Sequence, residues 1–378
     1  MTSAISRLTS AFIFIASTVA LAATQEQIHL PSGSFKHLFV YKEPGRFGGW
    51  PANNGVWVWG NEILVGFKQG WYQAHDRDHS IDRNKPNVFL LARSVNGGES
   101  WSVEHPDNFL DRELKPRPSP GIDFANPNLA IRVERTLYLV SYNRGKAWEG
   151  PYSFAGLHED MTARTDYLLD GPREALFFLS AKRPEVKAGS FHDRSFCART
   201  TDGGKTFQFL SWMTGAPLTT RSVMSSTVRI SKSELVAALR RRDDSDGRKK
   251  TWVDVYASTD NGRTWAFRSK VGNTGEADDP RNGNPPAMVR LRDGRIVVAY
   301  GNRFPPLGMR ARISADSGKT WGTEIVLRDD ARTWDFGYPR MVVRPDGKIV
   351  TIYYYTTKEN PEQHIAATIW DPDVFRDK

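Results

Sequence analysis

The chain has 378 residues, 39% of them apolar and 12% aromatic, with 31 Gly and 22 Pro, a balance that supplies a large core and favours a turn-rich β protein. A single cysteine, Cys197, excludes a disulfide framework and reads as a packed core residue rather than a nucleophile. The formal charge of +9 suits an anionic ligand, but Lys and Arg are dispersed and interleaved with Trp and Asp, which argues against a nucleic-acid surface.

The first 25 residues, "MTSAISRLTSAFIFIASTVALAATQ", carry one Arg and an apolar run from Ala11 to Ala22 that ends Ala-Leu-Ala. That pattern predicts a signal peptide over residues 1–23, cleaved near Ala22 or Ala23, and a mature protein exported to the periplasm or beyond the cell. The run is short for a membrane span. No later segment is apolar enough for one, so residues 24–378 are expected to form one domain with no membrane span, and a monomer is expected.

Next comes a strand, "FKHLFVYK", and then a loop, "EPGRFGGWPANNG", that carries Arg46 and Trp50. A second loop, "GWYQAHDRDHSIDRNKP", holds His75, Asp76, Asp78, His79 and Asp82. His75 and His79 are four apart, but Gly70 and Pro86 bracket a loop rather than a helix and no metalloprotease Glu accompanies them, so neither a metal nor any other cofactor is expected. A phosphate-binding Gly loop and a Gly-x-Ser-x-Gly elbow are also missing.

From residue 94 onward one eight-residue pattern recurs: "SVNGGESW", "SYNRGKAW", "TTDGGKTF", "STDNGRTW" and "SADSGKTW". The copies start at 94, 141, 200, 258 and 314, separated by 47, 59, 58 and 56 residues, a period that marks a repeated supersecondary unit. In each, Asp or Asn closes a tight turn with its side chain, Gly tolerates positive φ, and the final aromatic ring plugs the turn. Each box is therefore expected at a hairpin tip. Before the fifth, "AMVRLRDGRIVVAYGNR" is a hairpin about Asp293-Gly294; before the fourth, "STVRISKSELVAALRRR" fills the same slot. One unit is thus four strands: a hairpin, a longer loop, and a second hairpin closed by the box.

The tail supplies one hairpin, "MVVRPDGKIVTIYYYTT", and a boxless strand, "HIAATIWDPD". A fourth strand from Phe35 to Tyr41 would complete this unit and leave no open edge. The prediction is all-β: a six-bladed β-propeller whose last blade is closed by both termini.

Connectivity puts every box on one face and every long loop on the other, so the boxes are read as structural staples and the loops as the place of function. The loop face gathers Arg46, Trp50 and His79 from blade one, and Arg221 with the run Arg240, Arg241 and Arg242 from blade four. Blade five adds Asp278, Asp279, Arg281, Asn284, Arg303 and Arg310, and blade six opens with "RTWDFGYPR", which carries Trp334, Asp335 and Tyr338. Arginines converging from separate blades would make a cationic pocket suited to a carboxylate, with aspartates as acid/base groups.

The five boxes and this order of residues resemble the sialidase (neuraminidase) superfamily over about residues 35 to 370. The resemblance implies an arginine triad on the substrate carboxylate, for which Arg46, Arg240 and Arg310 match, with Arg303 competing for the third place. It implies Tyr338 as nucleophile and Asp82 as acid/base, Asp78 being second. The family's tyrosine-activating Glu has no match: "RSVMSSTVRIS" offers Ser225, Ser226 and Thr227, and Glu234 lies beyond the turn. The activity implied is retaining exo-hydrolysis of a terminal acidic sugar from a glycan. A lyase on uronate polymers, with His79 or Tyr338 abstracting a proton, and a non-catalytic glycan-binding propeller are the other readings.

Overall fold

The computed structural model describes residues 27–28 (backbone only), 34–106, 109, 115–158, 160–182, 193–215, 220–244, 249–275 and 283–376. The leader expected at 1–23 lies outside the described residues, as do Asp278, Asp279 and Arg281.

Strands β1 (Gln27–Ile28) and β2 (Phe35–Tyr41) precede the first blade. Blade one contains β3 (Arg46–Gly49), the short helix α1 (Pro51–Asn54), β4 (Val56–Trp59), β5 (Glu62–Trp71), β6 (Val88–Ser94) and β7 (Ser102–Glu104). Its inner edge is broken: β3 and β4 both pair with β5, and between them Trp50 takes a left-handed φ of 58° ahead of α1. Blade two consists of β8 (Ala130–Glu134), β9 (Leu137–Ser141) and β10 (Glu149–Ser153). Blade three has β11 (Tyr167–Leu169), β12 (Ala175–Ala181), β13 (Arg194–Thr200) and β14 (Gln208–Trp212), and blade four has β15 (Thr220–Arg229), β16 (Leu235–Asp243), β17 (Lys250–Ser258) and β18 (Ala266–Gly275). Blade five is β19 (Ala287–Arg290), β20 (Ile296–Asn302), β21 (Gly308–Ser314) and β22 (Glu324–Arg328), with β1 parallel to β22 at its outer edge. In blade six β23 (Gly337–Val343), β24 (Ile349–Tyr355) and β25 (His364–Trp370) are joined by β2, which runs antiparallel to β25 from Phe35 opposite Trp370. The expected six-bladed ring closed by both termini is the observed fold.

Middle strands such as "ALFFLSA" (β12) and "IVTIYYY" (β24) are buried along their whole length because each blade is covered on both faces by its neighbours. Six apolar clusters accordingly fill the six interfaces between consecutive blades. One joins Phe47 and Val65 of blade one to Ile352 and Ile365 of blade six; another joins Cys197 and Phe178 of blade three to Leu235 and Leu239 of blade four. Cys197 is core, as expected.

All five boxes sit at hairpin tips and share one bonding pattern. The opening Ser or Thr hydroxyl accepts from the Gly four residues on at 2.8 Å. The Asn or Asp carbonyl or carboxylate oxygen accepts from the amide four residues beyond itself at 2.8–3.0 Å. Each turn needs two consecutive positive φ values, as at Asn261 (58°) and Gly262 (87°). Burial opposes ionisation of Asp316, but donation from Thr320, Ser314 and Lys319 outweighs it and holds the carboxyl at about 2.

Blade two departs from the four-strand expectation: among the described residues it has three strands, with β8 innermost. The amide of Arg144, in its box, bonds to the carbonyl of Asn128 just ahead of β8, whereas the equivalent bond in blade four runs from Asn261 to Ser233, in the turn between β15 and β16. Thus β8 corresponds to a second strand, and its other edge meets residues 163–165, through the bridge Glu134–Arg164 and the bond from the Arg135 amide to the Ala163 carbonyl at 3.0 Å.

Candidate active site

The loop-face mouth of the central channel is organised around Tyr338. Gly337 has φ 105° and Tyr338 itself is left-handed at φ 51°, inside a bulge where β23 slips against β24. Asn284 fastens this bend: its Oδ1 accepts from the Tyr338 amide at 2.7 Å and its Nδ2 donates to the Phe336 carbonyl at 2.9 Å. A Cβ on Gly337 would meet the Asn284 side chain at 2.3 Å, so only glycine fits there. A left-handed non-glycine residue held this firmly is backbone strain of the kind concentrated at functional sites.

Arg240 of β16 and Arg303, just past β20, reach the Tyr338 ring from blades four and five. Arg240 Nη1 donates to the Tyr338 hydroxyl at 3.1 Å, and its guanidinium lies 5.5 Å from the ring centroid. The Arg240 Nη2 is buried with no hydrogen-bond partner among the described residues. Arg303 lies 5.7 Å from the same ring and 5.2 Å from that of Trp334, and donates to the Phe336 carbonyl at 2.8 Å and the Tyr354 hydroxyl at 3.3 Å. Burial would push the Tyr338 phenol up, but Arg240, His79 and Arg303 outweigh it and bring it down to about 7. Burial lowers Arg240 to about 10, which leaves it charged at neutral pH.

His79 closes the other side. Its Nδ1 is 2.5 Å from Asp335 Oδ1, and Asp335 also accepts from the Ser80 amide at 2.8 Å and the Tyr354 hydroxyl at 2.7 Å. Burial opposes the charge on Asp335, yet these donors, His79 foremost, keep its carboxyl below the usual range, so it is ionised. An ionised Asp335 makes His79 Nδ1 the donor and leaves Nε2 to exchange a proton. The imidazole is boxed by Trp50 and Trp334, with ring centroids at 5.0 and 5.5 Å, and lies 6.4 Å from the Tyr338 ring.

Eight of the residues expected on the loop face therefore meet at the mouth: Tyr338, His79, Asp335, Trp50, Trp334, Asn284, Arg240 and Arg303. The others do not. Arg46 lies opposite Trp71 in the β3–β5 ladder, with its guanidinium stacked 3.5 Å from that indole and Nε 3.5 Å from Glu43, so it stays at the loop rim. Arg310 sits in β21, two strands out from the axis, fully buried, donating to the carbonyls of Met309, Arg328 and Pro306 beside Glu324. Of the two candidates for blade five, Arg303 is the one at the mouth. Asp82 turns back on its own loop, accepting from the Asn84 amide at 2.9 Å with Lys85 at 3.7 Å, and Asp78 pairs with Arg83 at 2.8 Å. Arg221, Arg241 and Arg242 pair with Asp193, Asp254 and Asp244, and Glu234 pairs with Arg268 away from the mouth.

Sequence reasoning missed two contributors. Tyr354 bridges Arg303 to Asp335, but in "IVTIYYYTT" period alone does not single out one of three tyrosines. Met224, left-handed at φ 54° in a bulge of β15, puts its Sδ 3.6 Å from Arg240 Nη1 and occupies the stretch where the resemblance called for a Glu. Among the described residues no three His, Cys, Asp or Glu side chains come together as a metal site.

The family model of the BNR repeat-like domain matches residues 124–351, more than half of the chain. The chain belongs to the BNR repeat-like family. This BNR-repeat propeller superposes on a protein of unknown function from Dyadobacter fermentans DSM 18053 with a TM-score of 0.65 at 19% identity, covering 89% of this chain and 99% of that one. It also resembles the NanB sialidase of Streptococcus pneumoniae (TM-score 0.56, 10% identity, 91% and 72% covered) and the GH93 α-L-arabinofuranosidase of Fusarium graminearum (0.55, 13%, 90% and 98%). At these identities the likeness establishes the sialidase-like propeller fold. A comparison with proteins of curated function finds no match.

Proposed function

We propose that this BNR-repeat propeller is a retaining exo-glycosidase that removes a terminal acidic sugar from a glycan, with Tyr338 as nucleophile. The observation that carries this reading is the Tyr338 hydroxyl 3.1 Å from Arg240 and brought to about 7, which makes it substantially phenolate at neutral pH without a carboxylate partner. Cations thereby replace the Glu that the resemblance called for. Tyrosine-nucleophile sialidases depart from the two-carboxylate arrangement in the same direction.

In the first step the Tyr338 oxygen bonds to the anomeric carbon as the glycosidic C–O bond breaks, and His79 Nε2 protonates the departing oxygen. In the second, water gives a proton back to His79 and its oxygen displaces Tyr338, restoring the original configuration. Asp335 holds the imidazole in place, and His79 takes the acid/base role that the resemblance implies for Asp82. Arg303 and the unpartnered Nη2 of Arg240 bind the sugar carboxylate in place of the triad that included Arg46 and Arg310. The solved sialidase and arabinofuranosidase that share the fold support a glycosidase. The leader-like first 23 residues support action after export.

A second reading, a uronate lyase, is favoured by one feature: His79 is poised as a base 6.4 Å from the Tyr338 ring, beside the two arginines that also face it. Assay of aryl sialosides and aryl uronides with mass analysis of products separates the readings. Hydrolysis releases reducing sugar, whereas elimination yields an unsaturated, ultraviolet-absorbing uronide. Tyr338→Phe is expected to cut hydrolysis by about a thousandfold or more while ligand still binds. Normal turnover by that variant would overturn the nucleophile assignment, and binding with no turnover by the wild type would leave a glycan-binding propeller.

A further inference from the structure

A second cavity, of about 310 Å³, lies lower in the channel and is lined by β4, Leu129, the segment Thr165–Tyr167 and Arg340. Arg340 is two residues along β23 from Tyr338, and its Nη2 donates to the carbonyls of Ala52 in α1 and Thr165, at 2.5 and 2.7 Å. The cavity therefore begins where α1 and Arg340 close the floor of the Tyr338 mouth, and it extends toward the box face, where Trp59 meets Arg144 of the second box. It is bounded by β4 of blade one and by the start of blade three, which is fastened to β8 where the Thr165 hydroxyl accepts from the Val133 amide at 3.0 Å and the Tyr167 hydroxyl from the Ile131 amide at 3.2 Å.

A carboxyl and a guanidinium share this cavity with no direct ion pair between them. Asp166 accepts from the Thr227 amide and hydroxyl at 3.3 and 2.9 Å, and burial pushes its carboxyl up to about 7 despite the hydrogen bonds and the charge of Arg340. Arg340, lowered by burial to about 10, stays charged, and its Nε is buried with no partner among the described residues. Trp57, Trp59 and Tyr167 add ring surface. A guanidinium and a carboxyl both held short of mutual contact beside indoles suit a ligand with adjacent hydroxyls on one edge and an apolar C–H face. A carboxyl that is partly ionised near neutral pH can accept from or donate to a sugar hydroxyl, and its charge when ionised opposes an acidic ligand.

We propose that this lower cavity is a second carbohydrate site, binding one neutral sugar residue by its hydroxyls on Asp166 and Arg340 and by its C–H face on the tryptophans. It is independent of the reaction assigned to Tyr338.

The test is titration of the full chain with methyl glycosides of arabinose, galactose and rhamnose, followed by tryptophan fluorescence and ligand-observed NMR. At least one is expected to bind the wild type and Tyr338→Phe alike, undisplaced by glucuronic acid. Arg340→Lys and Trp59→Ala should each weaken it by about tenfold or more. Because either variant could disturb folding, Val58→Trp gives a separate check: Val58 lines the cavity and is 42% exposed, so a larger ring there should block binding with the melting transition retained. The proposal is overturned if none of the three glycosides binds, if binding survives Val58→Trp unchanged, or if it is lost in Tyr338→Phe or displaced by glucuronic acid, which would locate it at the mouth.

Discussion

In a box turn every defining bond spans at most four residues, as from Gly262 back to Ser258; at the channel mouth His79 and Asp335 are 256 positions apart and Arg240 and Tyr338 are 98 apart. The turns are therefore set by local chain geometry and repeat five times, whereas the mouth exists only once all six blades are in place. The box turns and the proposed chemistry lie on opposite faces, so a substitution in a box should leave the mouth alone and one at the mouth should leave the box turns alone.

The largest effect expected is on stability, from an arginine that resembles a substrate ligand in sequence but serves the fold. Arg310→Met removes three carbonyl contacts and the cation beside Glu324, and should cost about 3 to 5 kcal/mol in denaturant unfolding. Affinity for an acidic sugar in protein that remains folded should not change; a selective affinity loss would return Arg310 to the binding site. Next, Asp335→Asn frees the His79 ring and should lower kcat by about a hundredfold with KM nearly constant, a split that steady-state kinetics resolves.

Arg240→Met should weaken an acidic inhibitor by about ten- to a hundredfold, the worth of one charge-assisted contact. It should also move the acid limb of the pH profile. In the proposed mechanism the active form is the phenolate, so wild-type activity is expected to rise as pH climbs through about 7, and losing Arg240 to shift that rise to higher pH. The same depressed phenol, compared with an ordinary 10, adds stability as pH rises from about 7 to 10 and loses it as pH falls through about 7. An unmoved limb in Arg240→Met would mean that another group sets the profile. Smallest is Asp260→Ala, which should cost about 1 kcal/mol in unfolding and leave KM unchanged. Box carboxyls held low contribute stability that is present above about 4 and declines as pH falls, toward about 2 for Asp316.

The ring and its closure were legible because box, hairpin and strand signals are local. The mouth was legible where topology alone decides the face, as for Tyr338, Asp335 and His79. It failed where strand position within a blade decides: Arg303 and Arg310 are seven residues apart, yet one leaves a second strand at the mouth and the other lies in a third strand away from the axis. Arg46 failed because the cross-strand neighbour that captures it, Trp71, is fixed by register. The second blade, three-stranded among its described residues, did have a signal, since the first two boxes are 47 residues apart where later ones are 56 to 59, a shortfall about one strand long.

The pairing of β2 with β25 also orders events in time. Phe35 finds its partner, Trp370, only after 335 further residues, whereas blades one to five can each complete their own hairpins from nearby chain. During synthesis the ring therefore remains a curved stack with one unlatched gap until the final strand emerges. The apolar faces later shared by blades six and one stay open to solvent for that whole interval.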